Sequence, residues 1–435
     1  MKTYLFIFSI VAIVSLILII FYFDALPMLS REEPQPVRLY FADHISVALD
    51  LVIRKFNEKY KGWIEVIPVD LPFNKFSTNE RKELLARSLR SNSGRLDLFS
   101  IDHIWVPRFA KWSEPLDEYF SPAERAEILS YAFSSCSYDS VLVSVPLYID
   151  IGMMYYRRDI IERLPDAGQI EEKLKKSITW DEMIHLRDRL YYQGKPFYIF
   201  QANDYEGLVC NYFELLAGRD KQLFARNTID LRSTTARSAL RQMVDFVYKD
   251  NISPARVVEL DENSSYRYML DHDAVFVRGW PNFIENFRKM YPDTVKVNHL
   301  GRAALPHFPG QEPTSVYGGW NIMLSKYSTK KKEALVFVKF LQTKEIQELL
   351  FEVGGYIPVN NAVYADSQYV SHRPELAYYR QLLDHGFHRP SLKEYTKISD
   401  IISHYIHRAI RNELSVDDAL NKASDMISSN KVLIK

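Results

Sequence analysis

GGWNIMLSK, residues 318–326, is the segment that decides the fold of this chain. A glycine pair and an indole open a predicted strand, and the strand leads directly into an amphipathic helix. The helix is indicated by apolar residues on one helical face, Ala334, Phe337, Val338 and Leu341. Glycine allows close backbone approach, and tryptophan offers a broad apolar face with one polar N–H. The segment is therefore typical of a hinge beside a ligand surface, with Gly319 and Trp320 as candidate ligand contacts.

The first part of the chain alternates between predicted strands and helices. Strands are predicted at residues 37–41, 63–69 and 97–101, and Ser46 is placed to cap the helix after the first of them. This βαβαβ order predicts a parallel sheet covered by helices. Ligands bind such sheets beyond the carboxyl ends of the strands.

Polar and aromatic residues follow two of these predicted strands. Asp43 and His44 come after the first strand, and Asp102, His103 and Trp105 come after the third. Asp102 could equally cap a helix. The two histidines lack a partner at metal-ligand spacing, which favours surface histidines and predicts no metal site. We keep Asp43, His44, Asp102 and Trp105 as candidate ligand contacts.

The composition excludes some functions and leaves one enzymatic interpretation open. Lys plus Arg and Asp plus Glu both number 55, so no net field attracts nucleic acid or anionic lipid. A chain of 435 residues can hold two domains. Because the sequence has no Walker-type glycine loop, GxSxG or HExxH, we predict neither an enzyme nor a cofactor. Glycoside hydrolysis by Asp102 and Asp150 stays open, since it depends on the spacing of their carboxylates.

The N-terminus predicts the compartment. Residues 4–23 form an uncharged run of 20 residues, and a helix of that length spans about 30 Å, the thickness of the hydrocarbon layer. A cleaved signal normally has a shorter apolar core and a small-x-small site, whereas Phe23-Asp24-Ala25 has Phe where a small residue is needed. We expect an uncleaved anchor, with a cleaved signal peptide as the alternative. Outside the cytoplasm Cys136 and Cys210 could pair, but two separate buried thiols are favoured.

Four segments, in the expected order, resemble the extracellular solute-binding proteins of bacterial ABC importers, especially the sugar-binding group that includes the maltose-binding protein. They are the run from Gly318 to Pro358, an acid and an indole followed by Pro-Leu-Asp at 102–117, the strand at 143–159, and the strand at 273–281. The resemblance covers most of residues 37–430. It implies an α/β fold with two lobes joined by hinge strands, behind an N-terminal hydrophobic helix.

The resemblance also implies how the chain divides. Residues 1–30 would form the membrane anchor or signal, residues 31–149 and 318–365 the first lobe, and residues 150–317 and 366–435 the second. The hinges would lie where the chain crosses between lobes, near Asp150–Gly152 and Tyr317–Gly319.

Further ligand contacts are implied by position within these segments. Asp150 stands where the maltose-binding relatives place a carboxylate on the sugar, and Tyr148 lines the same wall. Trp280 would stack on the ligand, with a buried core position as the alternative. Glu206 and Tyr395 are weaker candidates, and a solvent-facing helix position is the alternative for Glu206.

The function implied by the resemblance is capture of a carbohydrate between two lobes and its delivery to ABC permease subunits. A membrane-anchored module that presents bound solute to a signalling partner is the alternative. We expect a monomer on the periplasmic or extracellular side of the cytoplasmic membrane, without nucleic acid as a partner. The sequence leaves the solute open, and polyols, glycerophosphodiesters and peptides remain alternatives to a sugar.

Overall fold

A computed structural model describes residues 2–29, 35–72, 75–76, 78–91, 95–224 and 229–429. Its strands are, in chain order, β1 (Val37–Asp43), β2 (Ile64–Asp70), β3 (Leu98–Asp102), β4 (Ser137–Tyr138), β5 (Val141–Leu142), β6 (Val145–Ile151), β7 (Met153–Arg157), β8 (Tyr198–Ile199), β9 (Phe276–Gly279), β10 (Leu300–Ala303), β11 (Ser315–Leu324) and β12 (Gly386–Phe387).

Helices surround these strands. They are α1 (Lys2–Leu29), α2 (Val47–Lys59), α3 (Thr78–Arg90), α4 (Val106–Phe109), α5 (Pro122–Ala126), α6 (Ser130–Phe133), α7 (Arg158–Ile161), α8 (Ala167–Lys176), α9 (Trp180–Arg189), α10 (Glu206–Ala217), α11 (Thr234–Tyr248), α12 (Glu262–Asp271), α13 (Phe283–Met290), α14 (Thr294–Asn298), α15 (Lys331–Leu341), α16 (Lys344–Gly354), α17 (Asn361–Ala365), α18 (Ser367–Ser371), α19 (Pro374–Leu383), α20 (Tyr395–Ile410) and α21 (Val416–Ser428). Short 3-10 turns lie at His103–Trp105, Ala110–Trp112, Lys221–Leu223 and Ala255–Glu259.

Two sheets organise the molecule. The larger has six strands in the order β12-β11-β3-β1-β2, with β6 also paired to β11. Its β1, β2 and β3 are parallel, as the βαβαβ pattern predicts, whereas β11 runs antiparallel to β3. The smaller sheet has four strands in the order β10-β7-β9-β8. Each sheet is the centre of one lobe.

The chain passes between the two sheets at Gly152. Strand β6, in the six-stranded sheet, ends at Ile151, and β7, in the four-stranded sheet, begins at Met153. Strand β11 lies beside β6 in antiparallel register, so that Gly318 faces Asp150 and Gly319 faces Ile149. The glycine pair therefore lies inside β11, three residues after its start at Ser315, and not at the beginning of the strand as the sequence suggested.

Gly319 is required by its backbone. Its φ is +123°, a region that L side chains rarely adopt, and an added Cβ would lie 2.5 Å from the carbonyl oxygen of Tyr148. The glycine thus allows β11 to approach β6 closely at the crossing.

Local sequence signals are confirmed at several helix ends. The hydroxyl of Ser46 accepts from the backbone N–H of Leu49 at 3.2 Å, as predicted, and capping boxes are formed by Ser121 with Glu124 and by Thr179 with Glu182. Each cap satisfies N–H groups that a helix start leaves without a partner.

Aromatic side chains fill the core beneath the six-stranded sheet. Phe56 of α2 contacts Phe337 of α15 edge-to-face with 4.8 Å between ring centroids, and both side chains are fully buried. Burial of each ring stabilises the fold by about 1.5–3 kcal/mol. The helical face predicted from residues 334, 337, 338 and 341 is the buried face of α15.

Helix α1 contains the uncharged run near the N-terminus. Searching the described residues gives no helix with both the length and the apolar character needed to cross a membrane. Cys136 and Cys210 are both free and buried, as the sequence favoured.

Candidate ligand-binding site

Two predicted ligand contacts meet at Gly318, close to the point where the chain passes between the sheets at Gly152. Asp150 lies opposite Gly318 on the neighbouring strand, and Trp280 directly follows β9. A Cβ at Gly318 would lie 2.8 Å from Cζ3 of Trp280 and 3.1 Å from Cβ of Asp150. The indole ring and the carboxylate are thus neighbours, and the missing side chain at Gly318 makes room for both.

One carboxylate oxygen of Asp150 is buried without a hydrogen-bond partner. The residue is 6% exposed, and its Oδ1 receives no hydrogen bond from any described residue. Burial raises the pKa of Asp150 to about 7, the nearby charge of Asp102 adds to this effect, and Arg278 opposes it. Buried carboxylates are normally satisfied by donors, so this atom is suited to accept from a ligand.

Trp280 is half-buried and held at several points. Its Nε1 donates to Oε1 of Glu262 at 3.4 Å, and its backbone N–H donates to the hydroxyl oxygen of Tyr266 at 2.8 Å. The guanidinium carbon of Arg278 lies 4.0 Å from the ring centroid, at cation–π distance. The ring therefore has a fixed orientation, which is what a stacking platform requires.

Arg278 was not proposed from the sequence. It lies on β9 two residues before Trp280, and side chains two positions apart along a strand point to the same face. It is fully buried and donates through Nε and Nη2 to Glu214 at 3.1 and 2.7 Å. Glu214 also accepts from the backbone N–H of Val316 on β11 at 3.4 Å. Nη1 of Arg278 has no hydrogen-bond partner among the described residues.

A second buried guanidinium, that of Arg389, joins residues that are distant in sequence. Its Nη2 donates to Oδ1 of Asp102 at 2.9 Å and its Nη1 donates to Oε1 of Glu206 at 2.7 Å. Nη2 also lies 3.3 Å from Nε2 of His103. We call Arg389, Asp102 and Glu206 the Arg389 cluster. No local pattern around this arginine predicts the pairing, because its partners lie more than 180 residues away.

The Arg389 cluster corrects two interpretations of the sequence. Glu206 begins α10 but is only 5% exposed, and it accepts further hydrogen bonds from Tyr395 at 2.7 Å and from Ser399. A solvent-facing position for Glu206 was therefore wrong. His103 was expected at the surface and is also 5% exposed, because the turn after β3 faces the C-terminal segment. Burial lowers the pKa of His103 well below its usual value, with Arg389 adding to the effect.

Asp102 has the capping role that the sequence left open, and its contact with a ligand stays a prediction. Its carboxylate accepts from the backbone N–H of Ile104 at 3.2 Å, as a cap of the following turn. The same oxygen also accepts from Arg389, so the residue belongs to the Arg389 cluster as well.

A third group of candidates lies at the carboxyl end of β1. Asp43 is buried and pairs with Arg81 at 2.9 Å, and burial raises its pKa while Arg81 opposes that shift. Tyr148 contacts Tyr356 with the rings tilted and 4.4 Å between their centroids. A small cavity there is lined by Asp43, half-buried His44, Ser46, Leu49, Leu147, Tyr148, Leu350 and Tyr356.

Trp105 and Trp320 lie inside the lobe built on the six-stranded sheet. Trp105 is 1% exposed and contacts Trp320 edge-to-face at 5.9 Å. Trp320 lies against the guanidinium of Arg81, at 4.2 Å. Both indoles therefore pack inside the lobe near Asp43 and Asp102, and in this arrangement neither presents an open face.

Contacts at two edges hold the lobes together. At one edge Asp400 of α20 accepts from Asn79 at 3.1 Å and from Lys82 at 3.4 Å, both on α3. At the other edge Lys289 of α13 donates to the carbonyl oxygen of Val353 on α16 at 2.8 Å. These contacts join segments that the predicted division of the chain assigns to different lobes.

Within the part of the chain that the structure describes, no group of three or more His, Cys, Asp or Glu side chains is arranged to hold a metal ion.

Comparison with known proteins identifies the family. The model of the bacterial extracellular solute-binding protein family matches residues 42–348, which is more than half of the chain. A probable ABC transporter-binding protein of Deinococcus radiodurans is 22% identical over 406 residues, covering 89% of this chain and 93% of the relative.

Solved structures agree with this assignment. Maltose-bound MalE3 of T. maritima is 27% identical with a TM-score of 0.80, covering 90% of this chain and 99% of that one. An ABC transporter solute-binding protein of Thermotoga lettingae, bound with α-D-tagatose, is 21% identical with a TM-score of 0.77, covering 91% and 99%. The chain belongs to the bacterial extracellular solute-binding proteins, which confirms the resemblance and the two-lobe α/β fold inferred from the sequence. Membership implies a location outside the cytoplasm.

Proposed function

We propose that the protein captures a carbohydrate between its two lobes and delivers it to the permease of an ABC importer. The main support is the buried Oδ1 of Asp150, which has no hydrogen-bond partner among the described residues and belongs to a side chain beside the fixed indole of Trp280. Together they offer a hydrogen-bond acceptor and an apolar platform at the hinge.

The chemistry of a sugar suits both kinds of unpartnered atom at this site. Oδ1 of Asp150 needs a donor, whereas Nη1 of Arg278 and Nε of Arg389 need acceptors. A hydroxyl group both donates and accepts. A ring bearing several hydroxyls can therefore satisfy these atoms while its C–H face covers Trp280.

The other candidate residues take supporting roles in this proposal. Asp43, His44 and Tyr148 would extend the site along the end of β1. Asp102, Glu206 and Tyr395 would act through Arg389, which they hold in place. Gly319, Trp105 and Trp320 would shape the floor of the cleft. The division into residues 31–149 with 318–365 and 150–317 with 366–435 remains part of the proposal.

A carbohydrate screen tests the proposed substrate class. We expect at least one mono- or oligosaccharide to raise the melting temperature, because a ligand at 100 times its Kd adds about 2.7 kcal/mol of stability to the folded state. Peptides, polyols and glycerophosphodiesters serve as comparison ligands. A stabilising effect of one of these classes with none from any sugar would contradict the proposal.

Attachment of the N-terminal segment is a separate prediction. We expect residues 4–23 to remain on the mature protein in the membrane fraction, because the uncharged run is long and its exit lacks a small-x-small site. Mass spectrometry of protein from the native membrane measures the mature start. A start near Leu26 would show that the segment is a cleaved signal.

We also propose that the protein acts as a monomer, without catalysis and without nucleic acid. In support, the carboxylate of Asp102 is engaged by Arg389 and by a turn N–H, which does not suit a free catalytic acid.

A further inference from the structure

The charges around Trp280 do not balance. Arg278 acts on three carboxylates, those of Glu214, Asp150 and Glu262. Its two hydrogen bonds to carboxylate oxygens both go to Glu214. Asp150 and Glu262 form no ion pair with any described residue. When all of these groups are ionised, the single guanidinium of Arg278 therefore faces three carboxylates.

The neighbouring Arg389 cluster adds to this negative surplus. Arg389 pairs with both Asp102 and Glu206, so this cluster holds one positive charge and two negative charges when its groups are ionised. Asp102 acts electrostatically on Asp150. Its histidine neighbours supply little compensation, since burial lowers the pKa of His103 and lowers that of His388 to about 4.

Carboxylates of this negative surplus lie near both ends of the Trp280 indole. Glu262 accepts from Nε1 of Trp280, and Asp150 lies beside the other end of the indole across Gly318. The hydroxyl of Tyr266 is within electrostatic reach of both carboxylates. Burial raises the pKa of Glu262 as it does that of Asp150. Ionised carboxylates in such a place are stabilised most by a cation that enters with the ligand.

From this imbalance we propose that the site prefers a cationic sugar, one that carries a protonated amine, over the neutral sugar of the same shape. The inference rests on the proposed function, since it names the class of carbohydrate for the same cleft. Asp150 is the main counter-ion, and Glu262 assists it from the Nε1 side of Trp280.

Matched sugar pairs test the preference. Calorimetry at pH 6 compares glucosamine with glucose, galactosamine with galactose, and the β-1,4 disaccharide of glucosamine with cellobiose. N-acetylglucosamine serves as the control that keeps the nitrogen and removes its charge. In at least one pair we expect the amine to bind about tenfold or more tightly than the neutral sugar, since hydrogen bonds to charged groups are the stronger ones.

Proton release gives an independent readout. Because the pKa of Asp150 is about 7, this carboxyl is mostly protonated at pH 6 in the free protein. A bound cation favours the ionised form, so binding should release close to one proton, visible as a dependence of the heat on the buffer's ionisation enthalpy. Neutral sugars should release clearly less, because a hydroxyl donor favours the ionised carboxylate less strongly than a cation does.

Two variants locate the effect. Asp150→Asn should abolish proton release and reduce the amine preference to less than about threefold, and Glu262→Gln should reduce the preference partly. Melting curves show whether each variant is folded. If Asp150→Asn does not fold, Glu262→Gln still tests the proposal.

The outcomes separate this inference from the proposed function. If neutral sugars bind as tightly as their amines and no proton is released, the cationic preference is overturned and sugar capture stands. If no sugar of either kind binds, both are overturned. A preference that persists in both variants would also overturn the assignment to these carboxylates.

Discussion

Replacing Arg389 by Met should lower the free energy of unfolding by about 3–5 kcal/mol. In this variant Asp102 and Glu206 would keep their positions but lose the guanidinium with which each forms an ion pair. Removing one partner of a buried ion pair is strongly destabilising, because it leaves the other charge without compensation. Arg389 itself is 2% exposed, so water cannot easily take its place. Urea denaturation followed by circular dichroism measures the loss.

The matched control is Arg38→Met. Arg38 pairs with Glu65 at 3.0 Å, but the side chains are 59% and 37% exposed. Exposed pairs of this kind contribute about 0–1 kcal/mol. In the variant that combines Arg389→Met with Asp102→Asn and Glu206→Gln, part of the loss should be recovered, because no buried charge is left alone. Equal stability losses in Arg389→Met and Arg38→Met would contradict the role given to the Arg389 cluster.

Replacing Trp280 or Asp150 by Ala should weaken binding of the sugar found in the screen by at least about tenfold. At a pH above the pKa of Asp150, which is about 7, its carboxylate is ionised, and loss of a hydrogen bond to such a charged group costs about 1.5–3 kcal/mol. Loss of an aromatic stacking partner costs about 0.5–1.5 kcal/mol beyond its buried area, and 1.4 kcal/mol is one decade in Kd. Calorimetry on folded variants measures the change.

Two exposed residues of the same types serve as controls for these variants. Trp63 is 52% exposed and Asp181 lies exposed in the first turn of α9. Trp63→Ala and Asp181→Ala should bind with the affinity of the unaltered protein. Unchanged affinity in both Trp280→Ala and Asp150→Ala would mean that the cleft has been placed wrongly.

Much of the architecture could be predicted because its signals are local. Helix caps, alternating strands and the apolar face of α15 each depend on residues within a few positions of one another. The crossing at Gly152 and the pairing of Asp150 with Gly318 were close to the hinges inferred from the sequence, since the family's segments preserve their order along the chain.

The charge network of the site could not be predicted in the same way. Arg389 meets Glu206 across 183 positions and Asp102 across 287, and only the folded chain brings them together. Glu206 looked like a surface residue because a helix start with a glutamate is common at the surface. The burial of His103 likewise depends on the distant C-terminal segment that covers it.

In the proposed mechanism the ligand bridges the two lobes and stabilises their closed arrangement. A ligand favours the closed state in proportion to its differential affinity for that state. Small-angle X-ray scattering, with and without the identified sugar at saturation, tests this most directly. We expect the radius of gyration to fall when the sugar is added, towards the value of the closed structure. An unchanged radius, in a sample that calorimetry shows to be fully occupied, would contradict capture by lobe closure.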